Sequence, residues 1–192
     1  NTTFGNLDIT GIVTASSEFN VGGDFSDNGT FDATGVNVSF TGGSPSSIGG
    51  TTTPVPFDLL TIAKSSAAAT LAADLTGLTA LTVSGGTLDL STFTVTQGLG
   101  GVLTLGAGTT LEIGGSNGMP VFDTYVFDPT STVLYNGAGA QTIFPGITSS
   151  GSAGVESRFS NVPRSRSRVI ARPVISTIVI VRIVPSRPGT ML

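Results

Sequence analysis

The densest group of chemically able side chains lies in "GGDFSDNGTFD" (Gly22–Asp32), where Asp24, Asp27 and Asp32 surround Asn28. Two or three converging carboxylates could act as acid and base on a glycosidic bond. The oxygens of Asp24, Asp27, Asn28 and Asp32 could also ligate Ca²⁺. Their spacing matches neither the helical calcium loop nor the glycine–aspartate nonapeptide. Asp and Asn beside Gly cap tight turns with no ligand at all, and turn chemistry is the reading adopted. Other chemistry is poorly supplied. The chain has no Cys and no His, so it offers no thiolate metal site and no base for a serine nucleophile. A polysaccharide lyase needs a basic residue to take a proton, and residues 1–157 hold only Lys64. "GLGGVLTLGAG" (Gly98–Gly108) resembles a nucleotide loop only in its glycines, without the lysine of a phosphate cradle or a following helix. No catalytic residue is expected.

The elements that carry these side chains follow from composition. Charged residues are 10% of the chain, while Gly contributes 27 residues and Thr 29. Ordinary domains are about 25% charged. Thr, Ser and Asn must therefore form the wet surface, and they suit strands and turns rather than helices. Apolar-x-apolar triplets recur along the chain: Leu7-Asp8-Ile9, Phe19-Asn20-Val21, Val38-Ser39-Phe40, Leu81-Thr82-Val83, Leu88-Asp89-Leu90, Phe93-Thr94-Val95, Leu103-Thr104-Leu105 and Leu111-Glu112-Ile113. Alternation at period two puts the apolar pair on one face and the polar residue on the other. Strands so short, divided by paired glycines, suit stacked coils better than a sandwich. "SSAAATLAADL" (Ser65–Leu75) is Ala-rich enough for a helix, but its β flanks make another coil the expectation. Two longer matches suggest an internal repeat over 4–48 and 57–143: "FGNLDI" with "FDLLTI", and "VSFTGGSPSSI" with "VLYNGAGAQTI".

Segments such as "LTVSGGTLDLSTFTV", "LTLGAGTTLEIGG" and "STVLYNGAGAQTI" resemble the repeats of large secreted bacterial surface proteins, of autotransporter-passenger and adhesin type. The resemblance covers roughly residues 1–145. It implies an all-β fold, a right-handed parallel β-helix (β-solenoid) fragment, on the cell surface or outside the cell, usually without catalysis by the repeat. A non-catalytic stalk or adhesive scaffold is expected, anchored through the rest of a longer chain. Its partners would be glycans or other surface proteins. No cofactor is expected beyond the weak Ca²⁺ candidate. In the inserted loop "GGSNGMPVFDTYVFDPTS" (Gly114–Ser131), Phe122, Tyr125 and Phe127 could stack on sugars or cap the core. The rival readings are a carbohydrate-active β-helix enzyme and an ice-binding face. The latter would need a flat lattice of threonines, for which Thr92, Thr94 and Thr96 are candidates.

Charge divides the chain in two. Residues 1–157 carry twelve acids and Lys64, a net of −11, whereas residues 158–192 carry seven Arg and no acid, a net of +7. An acidic body repels nucleic acid and anionic lipid, and no run approaches the ~18 apolar residues of a membrane helix. The Arg-rich tail, 146–192, reads as an out-of-frame continuation of the repeat. Shifting each codon by one base permits Val-Thr-Val-Thr-Gly-Asn from Arg164–Ile170, Gly-Asp-Phe-Asn-Asn from Pro173–Ile178, and Phe-Thr-Ala-Gly-Asn-Asn-Val from Pro185–Leu192. The first base of each new codon is free, so this is permission rather than proof, and a genuine basic extension is the alternative. An irregular tail that packs poorly from about Phe144 is the corollary, with "VISTIVIV" an aggregation hazard.

Overall fold

The computed structural model describes residues 1–142 and the backbone of two further strands, Glu156–Arg158 and Ile178–Val181. The described residues form no helix, and every strand pairing is parallel, in a β-solenoid of about six turns. Three ladders line it.

The first ladder stacks β1 (Thr2–Phe4), β4 (Phe19–Val21), β7 (Asn37–Gly42) and the relevant stretches of β10 (Leu59–Leu71), β11 (Leu75–Asp89) and β12 (Val95–Leu105). It ends on β14 (Thr124–Phe127). The second holds β2 (Leu7–Ile9), β5 (Phe25–Asp27), β8 (Ser46–Gly49), the later parts of β10 and β11, β13 (Thr110–Ile113) and β15 (Thr132–Tyr135). The third comprises β3 (Ile12–Thr14) with β6 (Thr30–Asp32), and β9 (Val55–Pro56) with the beginnings of β11 and β12. In the tail, β17 (Ile178–Val181) pairs with β15, and β16 (Glu156–Arg158) pairs with β17. The remainder of the tail, and with it the reading of 146–192 as frame-shifted, lies outside the described residues.

Alternation explains the first ladder residue by residue. Its inward positions form two columns, Phe19, Val38, Leu60, Leu81, Leu103, Tyr125 and Val21, Phe40, Ile62, Val83, Leu105, Phe127. All are buried except Tyr125, which is partly so. Between them the outward column reads Asn20, Ser39, Thr61, Thr82, Thr104 and Val126. Each buried Leu, Ile, Val or Phe contributes about 1.5–3 kcal/mol by leaving water. A coil buries its residues only against the coils on either side, so stacking itself holds the fold.

One winding is not of constant length. It takes 17 residues from Thr2 to Phe19, 19 from Phe19 to Val38 and 22 from Val38 to Leu60. It takes 21 from Leu60 to Leu81, then 22 to Leu103 and 22 to Tyr125. The longer sequence matches do not follow this winding. Leu7–Ile9 belongs to the second ladder but its match Leu60–Ile62 to the first; Val38–Phe40 belongs to the first and Val133–Tyr135 to the second. Any apolar-x-apolar triplet serves on any ladder, so similar segments can occupy different faces. The Ala-rich stretch Ser65–Leu75 is a coil, most of it within β10, whose register shifts between Ala63 and Ala68 as the chain turns from the first ladder to the second.

Candidate functional site

Most of the acids brace corners. The Asp24 amide donates to Asn6 Oδ1 at 2.9 Å, and Asp24 Oδ1 in turn accepts the Ser47 amide at 2.8 Å, so one corner is tied through three successive coils. Asn28 repeats the device: its Nδ2 donates to Asp8 Oδ1 at 2.7 Å and its Oδ1 accepts the Thr51 amide at 2.9 Å. Asp74 accepts both the amide and the hydroxyl of Thr94, and Asp123 exchanges two bonds with Gln97. Asp32 and Asp128 cap their own turns, on Thr34 and Thr130. For Asp32 the Thr34 amide, then its hydroxyl, hold the carboxyl below its ordinary range.

Asp24 and Asn28, at corners, and Asp32, at the end of β6, are therefore exposed residues with structural partners. Asp27 faces the other way, into the core. Among the described residues no three His, Cys, Asp or Glu gather as a metal site, so the sequence candidate for Ca²⁺ is not assembled as a cluster.

Asp27 caps its turn as turn chemistry expects, but from inside the core. It is fully buried, in register with the buried Ile9 of the preceding coil, and Gly50 of the following coil packs against its backbone. Its Oδ1 accepts the Gly29 amide at 3.2 Å, while its buried Oδ2 has no hydrogen-bond partner. The alternation Phe25-Ser26-Asp27 held that signal, since residues two apart share a face. An unpaired buried carboxylate oxygen weakens a fold.

Lys64, the single cationic side chain of residues 1–142, is 1% exposed. Its ammonium donates to the Thr41 carbonyl at 2.8 Å and the Gly22 carbonyl at 3.0 Å. Burial pushes its pKa down, partly opposed by Asp24. With its ammonium bonded to two backbone carbonyls inside the core, it is not placed as a proton-abstracting base. Every other charge on the surface of residues 1–142 is acidic, the amino terminus apart.

On the second ladder Glu112 lies one rung beyond Asp89. Partial burial, then the Asp89 charge, raise the Glu112 pKa; the amide of Asn136, which donates to Oε1, works against them. The folded state then holds the Glu112 proton more tightly than the unfolded chain. The resulting stability is fully present below the ordinary glutamate range and is lost as pH rises through the higher folded value. Relative to the parent, Glu112→Gln should thus gain stability as pH rises from the ordinary glutamate range, about 4, through the higher folded value. Paired melting curves across that range check this.

The aromatic loop is largely turned inward. Phe122 and Phe127 are buried, and the partly buried Tyr125 donates its hydroxyl to the Pro120 carbonyl and accepts the Phe122 amide. These rings cap the core and present no stacking platform. Thr92, Thr94 and Thr96 are exposed, but Ser91 just before them turns the chain at φ 51° and Thr94 is tied to Asp74. The outward threonines Thr61, Thr82 and Thr104 form one column, flanked on one side by Leu59, Ala80 and Val102 rather than by a second threonine column.

Two open clefts mark the flank. One, of about 400 Å³, is floored by Phe31 and Phe57 and edged by Asp32 and Asp58. Asp58 is braced by the Gly35 amide at 2.7 Å and the Thr79 hydroxyl. The other, of about 480 Å³, lies between Phe93–Gln97 and Asn117–Val121. Sequence alternation suggested a strand at Phe93-Thr94-Val95. In the structure Phe93 sits in a turn, its amide on the Leu90 carbonyl at 2.9 Å, with its ring half-buried beside the second cleft. No protein-family model, curated protein or solved structure matches this chain.

Proposed function

We propose that this segment is a non-catalytic stalk or adhesive scaffold of a secreted or cell-surface bacterial protein. The observation that carries the reading is the stack of about six turns, whose apolar columns are internal and whose outward column on the first ladder is Asn, Ser and Thr as far as Thr104. Rungs about 4.8 Å apart make six steps roughly 29 Å long, and further coils would lengthen the rod without altering its cross-section. An acid-only, hydroxyl-rich flank suits shallow contact with glycans or other surface proteins better than with nucleic acid. An antibody against residues 1–142, applied to intact cells that make the full-length protein, tests the location. Staining without permeabilisation is expected; staining only after permeabilisation overturns the reading.

A further inference from the structure

We infer that the cleft between Phe93–Gln97 and Asn117–Val121 is a binding site for a compact, uncharged saccharide, one or two rings in size. This rests on the glycan contact proposed above and gives it a place. The cleft exists because the third ladder stops. Val95–Gln97 of β12 pairs back onto β11, but the following pass, Asn117–Val121, forms no strand and contains Pro120, which has no amide to donate. The two segments part, leaving about 480 Å³, within the usual range for small-molecule sites.

Both ends of the cleft are bridged. Asn117 Nδ2 donates to the Phe93 carbonyl at 3.0 Å at one end, and Gln97 and Asp123 exchange two hydrogen bonds, of 2.7 and 3.2 Å, at the other. An extended peptide needs open ends; a compact ligand does not. The lining selects further. It contains no charged side chain, although the surrounding flank is acidic. Val95 and Met119 are buried and apolar, Phe93 is partly buried against the core, and Thr96 is exposed. An apolar floor with a hydroxyl and amide rim matches a sugar ring, which has an apolar C–H face and polar edges.

The test is amide chemical-shift mapping of the whole chain with glucose, galactose, mannose and N-acetylglucosamine, and with glucuronate as the charged counterpart. At least one neutral sugar should shift the amides of Thr94–Gln97 and Asn117–Val121, and glucuronate should not. Phe93→Leu should weaken binding about 5-fold. Thr96→Val, at an exposed position where folding is not at risk, should weaken it about 3–10-fold. Neutral sugars that shift only other parts of the flank overturn the cleft and leave the broader glycan contact standing. No shift with any sugar overturns both, while the rod reading, tested by cell-surface staining, does not depend on the result. Equal shifts with glucuronate, or shifts with a linear peptide alone, also overturn the assignment.

Discussion

Phe25→Ala is expected to destabilise the solenoid by about 3–5 kcal/mol. Phe25 is 1% exposed and its ring centroid lies 5.2 Å from Phe31, 5.2 Å from Phe57 and 6.3 Å from Phe40. Those rings come from different sides of two adjoining coils, so a cavity at Phe25 loosens both turns at once. Phe31 and Phe57 also meet, at 5.7 Å, which limits how far either can move into the space. Denaturant unfolding should show the loss as a lower midpoint with an unchanged slope. A change below about 1 kcal/mol would mean that the rings do not form a common core.

Gly50→Ala should cost about 3 kcal/mol, combining backbone strain and overpacking. Gly50 has φ +140°, where side chains are rarely found, and a Cβ there would meet the backbone oxygen of Asp27 at 2.1 Å and its nitrogen at 2.4 Å. The obstacle is main chain in the neighbouring coil, itself held by the Thr52 amide on the Asp27 carbonyl at 2.9 Å, so no side-chain rotation relieves it. Gly35→Ala is the control. Gly35 has φ +70° and nothing within 4 Å of the added carbon, so it should lose only about 1–2 kcal/mol. The difference between the two midpoints reads the clash together with the extra backbone strain of φ +140° over φ +70°.

Much of the fold was legible because period-two alternation assigns each side chain to an inside or an outside. Val38-Ser39-Phe40, Leu81-Thr82-Val83 and Leu103-Thr104-Leu105 are strands with their apolar pairs buried. The same rule says nothing about which ladder a triplet joins, so the matched segments Leu7–Ile9 and Leu60–Ile62 lie on different faces. Asp27 follows the alternation into the core, which residue type did not indicate, while its Oδ1 makes the turn bond to Gly29 that residue type did. Phe122 was ambiguous because the stretch before β14, rich in Gly and with Pro120, has no period from which to read direction, whereas Tyr125-Val126-Phe127 is a further alternating triplet, on β14. The cleft beside Phe93 was not legible. It depends on two segments of different coils, more than 20 residues apart, separating at Pro120.

Lys64 gives the stack an unequal resistance to force. Hydrogen bonds between strands and at corners join one winding to the next, but this ammonium reaches through Thr41 to Gly22, two windings back. A pull that peels windings off the amino-terminal end would detach them singly until it met that clasp. There it would have to strip a cation from its buried cage before the next winding could leave, and the extension trace would pause.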